Sequence, residues 1–251
     1  MTDKERTKHM SREVYGIDWL KSKSMPGDDV GANGEADLTG WKDADWDKIA
    51  SRCLTAHDWS ELVKLHPQAA DRCEWEKFGG LDWRLLLIGH PEFAAYCDWE
   101  KLDNYDWWGL LIEQPQFATY CDWNKLYGES WSDLLSIHPE FAGHCSWTKL
   151  DGSELGELLC RRPEFAEHCD WSKLNGWAWS GLLCSRPQFA EHCRWELLES
   201  EDWQNLLSVR PEFAPYCDWD KLDREDWLRL LDWRPEFRDK CPFDDQKKTT
   251  E

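Results

Sequence analysis

A 24-residue period runs through most of this chain and restricts its possible folds more than any other feature. Proline recurs at this step from Pro67 to Pro235, and cysteine recurs from Cys73 to Cys241. Two tryptophan rows keep the same step, from Trp59 to Trp227 and from Trp75 to Trp219, and Leu155 interrupts the first row. Self-similarity at a fixed period of this length is typical of solenoid proteins, whose units bury their apolar faces against one another.

Each unit carries the pattern of two short helices. In the unit that starts at Asp106, Trp107, Leu110 and Leu111 have helical spacing, and the aspartate is the expected N-cap. Pro115 ends this helix and opens a second one, because proline suits the first helical position. No segment shows the alternation of apolar and polar residues that is typical of a half-buried strand. The sequence therefore predicts an all-α fold without a β-sheet.

The 24-residue step, the Leu110–Leu111–Pro115 spacing and the lack of predicted strands resemble the leucine-rich variant type of helical repeat. The resemblance covers Trp59 to Phe243 and implies one α-helix and one 3₁₀-helix in each unit, stacked into a right-handed superhelix. The tryptophan and cysteine positions have no counterpart in that family's pattern, and the family does not fix a function. We expect a right-handed-type α-solenoid of eight 24-residue repeats, each with two short helices.

The ends of the chain differ from the repeats. Residues 1–40 are expected to be a flexible N-terminal tail or linker, because their Gly- and Asp-rich part offers little to bury. Residues 41–58 imitate part of a unit and are expected to form a degenerate N-terminal capping unit. The repeat solenoid is expected over residues 59–243, with an incomplete last unit, and a disordered tail is expected over residues 244–251.

The chain is strongly acidic, with 50 acidic and 30 basic residues and a formal net charge of −20. This charge repels phosphate backbones and anionic membrane surfaces, so neither nucleic acid nor a membrane is an expected partner. No apolar run is long enough for a membrane helix, and the charged N-terminus lacks the pattern of a signal peptide. We expect a cytoplasmic monomer that binds an unidentified protein or peptide.

The recurring cysteines are expected to be free thiols in the core. Equivalent atoms of stacked helices lie roughly 9–10 Å apart, whereas a disulfide needs Cα atoms within about 7 Å. A metal array is the alternative, because histidine precedes cysteine in several units, as in Glu167–Cys169. No pair has the usual spacing of zinc ligands, and tyrosine takes the histidine position in other units. We therefore expect neither a metal nor another cofactor.

The tryptophan rows are predicted to lie in the core. A row of stacking platforms would not lose an aromatic ring at Leu155, whereas a packed core tolerates leucine there. An exposed stripe that binds glycans or extended peptides is the alternative. Trp108, Trp177 and Trp233 lie off both rows and are the candidate exposed aromatics.

A candidate binding ridge surrounds the prolines. The residue before each proline is His or Gln in the first four units and Arg in the last four, namely Arg162, Arg186, Arg210 and Arg234. Aromatic side chains follow the prolines by five residues in six units, at Tyr96, Tyr120, His144, His168, His192 and Tyr216. Two interpretations stay open: a solvated ridge on which Arg and Glu pair between units, or a ridge that grips an acidic or aromatic partner segment.

Motifs of known catalytic sites are missing from the sequence, which has no G-x-S-x-G, no glycine-rich phosphate loop and no H-E-x-x-H. We therefore expect a non-enzymatic repeat scaffold that mediates protein–protein interaction through an extended ridge or groove. Two alternatives remain: a glycan- or peptide-binding module that uses exposed tryptophans, and an acidic inhibitor or immunity-type protein that engages a basic target.

Overall fold

The computed structural model describes residues 54–243, and every regular element in this range is helical. The eight α-helices of this range are α1 (Ala56–Leu65), α2 (Gly80–Gly89), α3 (Asn104–Glu113), α4 (Gly128–Ile137), α5 (Gly152–Arg161), α6 (Gly176–Ser185), α7 (Ser200–Val209) and α8 (Arg224–Trp233). The described chain forms an α-solenoid of eight successive repeats, which confirms the predicted fold class. The predicted tails 1–40 and 244–251, and most of the predicted capping unit 41–58, lie outside the described residues.

A six-residue 3₁₀-helix, which we call the proline helix, follows each α-helix. The proline helices are Pro67–Arg72, Pro91–Tyr96, Pro115–Tyr120, Pro139–His144, Pro163–His168, Pro187–His192, Pro211–Tyr216 and Pro235–Lys240. The repeated proline stands at the start of each, as predicted, because its missing N–H would have no partner there. The proline helix matches the one 3₁₀-helix in each unit that the leucine-rich variant resemblance implies, but the first seven repeats contain a second 3₁₀-helix and therefore three helical elements rather than the two expected.

A second 3₁₀-helix of three residues, which we call the tryptophan turn, completes each of the first seven repeats. The tryptophan turns are Trp75–Lys77, Trp99–Lys101, Trp123–Lys125, Trp147–Lys149, Trp171–Lys173, Trp195–Leu197 and Trp219–Lys221. Asp122 caps the start of one of them, because its carboxylate accepts the main-chain N–H of Asn124 at 3.1 Å. The leucine after the turn, Leu126, is fully buried and fixes the turn to the core.

The N-cap of α3 lies three residues before Asp106, the aspartate that the sequence suggested for this role. In α3 the N-cap is Asp103, whose carboxylate accepts the main-chain N–H of Asp106 at 3.0 Å. The carboxylate of Asp106 in turn accepts the main-chain N–H of Asp103 at 3.3 Å. This reciprocal capping box satisfies two main-chain donors at the helix start. The prediction that Asp106 is the N-cap is therefore wrong, although its carboxylate does cap the helix.

The first tryptophan row lies at the centre of the core, as predicted. Its members are fully buried at the fourth position of their α-helices: Trp59, Trp83, Trp107, Trp131, Trp179, Trp203 and Trp227. Six of these indole N–H groups have no hydrogen-bond partner within residues 54–243, and Trp59, which donates to Glu74 at 3.0 Å, is the exception. In those six repeats the indole N–H binds no acceptor. A leucine at the equivalent position of α5, the buried Leu155, therefore leaves no buried polar group unpaired.

The chain divides after Cys121 into two compact units, and each unit joins its repeats through lysines of the tryptophan turns. In the first unit, Lys101 Nζ donates to the main-chain carbonyls of Glu76 at 2.8 Å and Phe78 at 2.9 Å, both in the preceding repeat. The equivalent pairs of bonds in the second unit are made by Lys149, Lys173 and Lys221. These charge-assisted bonds place the ammonium groups between repeats.

Candidate interaction surface

The tryptophans of the second row are half-buried, and most of them lie in the middle of a ring stack that leads from the core to the surface. In the second unit, Trp123 packs against the buried ring of Trp131 with a centroid distance of 5.4 Å. The exposed ring of His144 covers its other side at 4.5 Å, with an interplanar angle of 7°. Near-parallel rings at this separation attract each other beyond the effect of burial alone. The stack therefore holds an exposed ring in a fixed orientation.

The same outer contact recurs in successive repeats of each unit. The further pairs are Trp75 with Tyr96 and Trp99 with Tyr120 in the first unit, and Trp147 with His168, Trp171 with His192 and Trp195 with Tyr216 in the second unit, at centroid distances from 4.3 to 4.9 Å. We call the six exposed rings the outer-ring row. The structure thus gives the six predicted ridge aromatics one shared role, and it corrects the prediction that the second tryptophan row lies in the core, because these tryptophans are only half-buried.

A lysine occupies the next position of the outer-ring row. Lys240 stands 24 residues after Tyr216, and its Nζ lies 5.4 Å from the ring centroid of Trp219. An ammonium within about 6 Å of an indole centroid is attracted by the negative face of the ring. Where the row lacks an aromatic ring, the underlying tryptophan therefore accepts a cation. Our sequence analysis missed Lys240, although the 24-residue step from Tyr216 points to it.

The four predicted ridge arginines are directed at the protein backbone. Arg162 Nε donates to the carbonyl oxygen of Ser136 at 2.9 Å, and Arg186 Nε donates to that of Cys160 at 2.9 Å. The equivalent bonds join Arg210 to Cys184 and Arg234 to Ser208. Each acceptor lies in the last turn of the α-helix of the preceding repeat, where main-chain carbonyls lack an intrahelical partner. The arginines therefore cap α4 to α7.

Arginine and glutamate pair within a repeat rather than between repeats. The guanidinium of Arg162 lies 3.7 Å from Glu164, and that of Arg210 lies 3.8 Å from Glu212. Within the preceding repeat, His138 makes the same contact with Glu140 at 3.0 Å. These glutamates are more than half exposed, so each pair contributes only about 0–1 kcal/mol. The carboxylates of these glutamates therefore remain exposed to solvent at the surface.

We expect Arg210→Ala to lower the free energy of unfolding by about 1–2 kcal/mol, because it leaves the carbonyl of Cys184 without its donor. Urea unfolding followed by circular dichroism measures this loss. Arg194→Ala is the matched control, since Arg194 pairs with the exposed carboxylate of Glu196 at 3.1 Å. We expect the control to change stability by less than about 0.5 kcal/mol. Equal losses in the two variants would contradict the capping role.

Carboxylates line the outer-ring row of the second unit, whereas the ridge arginines and the bridging lysines nearby are engaged between repeats. Arg194 is the exception, because it is exposed two residues after His192 and pairs with Glu196 at 3.1 Å. The side chains of Glu167 and Glu191 are 79% and 78% exposed, and each lies 3.6 Å from the neighbouring outer ring. Asp218 and Asp220 are exposed on the tryptophan turn beside the row. The surface around these rings is therefore negatively charged, and a cation that approaches it is attracted.

Two of the three candidate exposed aromatics are exposed, and they do not share a site. Trp177 is 65% exposed at the second position of α6, and Trp233 is 73% exposed at the last position of α8. The two rings lie near opposite ends of helices in different repeats. Trp108 is only partly accessible, and its indole nitrogen is buried without a hydrogen-bond partner. Trp108 is therefore not an exposed aromatic.

The repeated cysteines are free thiols, and most are half-buried rather than fully buried. Burial raises the pKa of Cys145 to about 12, because a thiolate at the end of the proline helix would lose its hydration. Burial raises the pKa to the same value for Cys73, Cys97, Cys169, Cys193 and Cys217. Cys241 alone among these row positions is classed as buried. The thiols therefore pack as small apolar groups with restricted access to water.

Within residues 54–243, no group of three or more His, Cys, Asp and Glu side chains could hold a metal ion. Across the same residues, no helix is long and apolar enough to cross a membrane. Comparison with protein-family models, curated proteins and solved structures finds no match to this chain. No family model therefore confirms the leucine-rich variant resemblance, and the described residues show a regular repeat of α-helix, proline helix and tryptophan turn with a 24-residue period.

Proposed function

We propose that the protein is a non-enzymatic repeat scaffold that binds a protein segment along the outer-ring row of its second unit. The observation that carries this proposal is the exposed ring that covers a half-buried tryptophan at the same place in successive repeats. Because each ring is already fixed by its stack, little side-chain entropy is lost when a partner covers it. Equivalent sites at regular intervals suit an extended segment better than a compact ligand.

The composition of the row supports a role beyond packing. At the position of the outer ring, the last repeat carries Lys240, and its ammonium covers Trp219 without an aromatic side chain. The fold therefore does not require an aromatic ring at this position. Tyr216, in the preceding repeat, nevertheless leaves 56% of its surface in water. Exposed aromatic side chains held in place by their neighbours are typical anchors of protein interfaces.

The equivalence of the repeats supports a non-enzymatic role. An active site concentrates perturbed acids, bases and nucleophiles in one place, whereas these repeats hold equivalent groups in equivalent surroundings. The abundant thiols have raised pKa values, as Cys193 shows at about 12, and a thiol kept protonated is a poor nucleophile.

A random-peptide display library selected against the full-length protein tests this proposal. We expect the selected peptides to bind a variant with His144→Ser, His168→Ser and His192→Ser at least about tenfold more weakly, because several anchors are removed together. Fluorescence anisotropy with the selected peptides measures the affinities. A variant with Glu129→Gln and Glu201→Gln changes exposed α-helix positions away from the row and is the control.

Unchanged binding to the variant that lacks the three rings would contradict the proposed function. So would an equal loss of binding in the control variant. Circular dichroism of each variant shows whether the fold is kept, since the substituted side chains are exposed. If no peptide is enriched but oligosaccharides quench tryptophan fluorescence, and Trp177→Ala removes that response, the glycan-binding alternative replaces the proposal.

A further inference from the structure

We infer that the partner segment is basic and extended, in a polyproline II conformation, with a lysine or arginine at every third residue. This inference rests on the proposed function and names the chemistry of its ligand. Two observations carry it, the charge around the outer-ring row and the contact between Lys240 and Trp219, together with the usual spacing of packed helices.

The charge of the surface selects a basic partner. The exposed Arg194 pairs with the carboxylate of Glu196. The bridging lysines and the ridge arginines donate to main-chain carbonyls, as Lys173 does to Leu150 at 2.6 Å and Arg186 to Cys160 at 2.9 Å. Their positive charges therefore lie between the repeats. The carboxylates of Glu167 and Glu191 extend into water beside the rings. An acidic partner would meet these carboxylates first, whereas a cation would be attracted to them.

The chain itself shows how a cation is received at this row. The ammonium of Lys240 lies over the ring of Trp219 at 5.4 Å from its centroid. The phenol ring of Tyr216, backed by Trp195, offers an aromatic face to a cation in the preceding repeat. A lysine or arginine from a partner can therefore lie over Tyr216, and at His168 and His192 it can pair with the carboxylates of Glu167 and Glu191 beside the rings.

The interval between repeats selects the conformation of the partner. Packed helices lie about 8–10 Å apart, so we expect successive outer rings of the second unit to recur at about this interval. A polyproline II helix has about three residues per turn and a rise of about 3.1 Å, so every third side chain points the same way at intervals of about 9 Å. In a β-strand, side chains on one face recur at about 7 Å and fall out of step with the rings.

A titration with defined peptides tests this inference. The probe is a labelled peptide of four Lys-Pro-Pro units, which matches the four outer rings His144, His168, His192 and Tyr216 of the second unit. We expect it to bind the full-length protein at low ionic strength at least about threefold more tightly than a peptide of four Lys-Pro-Pro-Pro units. Both peptides carry the same charge, but the second turns its lysines to different sides. A peptide of Glu-Pro-Pro units should not bind.

Two variants locate the binding to the row. His168→Lys with His192→Lys, which would place ammonium groups over Trp147 and Trp171 as Lys240 lies over Trp219, should weaken binding of the Lys-Pro-Pro peptide by at least about two- to fivefold, because the row then carries the charge of the peptide. Glu167→Gln with Glu191→Gln keeps the rings and should also weaken binding, with a smaller dependence on salt. The control is Glu129→Gln with Glu201→Gln, which makes the same change of charge away from the row and should alter affinity by less than about twofold.

The outcomes separate this inference from the proposed function. Equal affinity for the two lysine spacings, no binding of either peptide, or the same loss in the control variant would overturn the inference. If display-selected peptides without basic residues lose affinity for the ring variant, the proposed function stands and the inference fails. If the ring variants change neither the affinity of the display-selected peptides nor that of the Lys-Pro-Pro peptide, both the proposed function and the inference fail.

Discussion

The repeated cysteines of the native protein are expected to react with iodoacetamide on the order of hundreds of times more slowly than the same cysteines in the unfolded chain. The thiolate is the reacting species, and burial raises the pKa of Cys145 from 9.0 to about 12. At a pH of about 8.5, such a shift lowers the thiolate fraction from about a quarter to a few parts in ten thousand. Partial exposure of the sulfur would make the difference between the two rates smaller, but the native thiols would still react more slowly than the unfolded ones.

Alkylation followed by quenching and peptide mass spectrometry measures the rate at each cysteine, in native buffer and in urea. Cys160 and Cys184, which lie in α5 and α6, are internal controls. Burial raises their pKa as well, but a hydrogen bond with Ser185 and the charge of Arg186 oppose the shift at Cys160, and the charge of Arg210 opposes it at Cys184. We expect both to react faster than the row cysteines. Labelling of the row at the unfolded rate would contradict the packed arrangement of the repeats.

The fold could be predicted from the sequence because every repeat buries the same positions. A 24-residue step in Trp107, Leu110 and Leu111 marks positions that lie on one helix face, and all three are fully buried. Proline at the start of a helix is an equally local signal. The start of the α-helix was harder to place, because a capping box uses two acidic side chains and either could have been the N-cap. Local patterns thus predicted the elements better than their ends.

The interaction surface could be predicted only in part, because its contacts join residues that are far apart in sequence. The recurrence of Tyr120 was visible in the sequence. Its stacking partner Trp99 lies 21 residues earlier, and no local sequence pattern indicates that two residues at this separation are in contact. Arg186 and Arg194 are the same residue type on neighbouring elements. One binds a main-chain carbonyl of the preceding repeat, and the other pairs with an exposed glutamate. Only the register between repeats distinguishes them.

Gly152→Ala is expected to lower the free energy of unfolding by about 1–3 kcal/mol, whereas Gly181→Ala should raise it by up to about 1 kcal/mol. Gly152 is the first residue of α5, where a Cβ would overlap the main-chain carbonyl oxygen of Lys173 in the tryptophan turn of the same repeat. A main-chain atom cannot rotate away as a side chain can. Gly181 lies inside α6, and a Cβ there meets no atom within 4 Å, so alanine simply improves helix propensity.

Urea unfolding of the two variants beside the wild-type protein checks this difference in sign. The first position of an α-helix can hold a side chain when the next repeat offers it a partner. At Ser200, the first residue of α7, the hydroxyl donates to Asp226 of the next repeat at 2.5 Å. At Gly152 the nearest atoms belong instead to the main chain of Lys173 and Leu174. A stable Gly152→Ala protein would mean that the tryptophan turn can move away from α5. The lysine that joins successive repeats there would then have to move with it, because Lys173 also donates to Leu150.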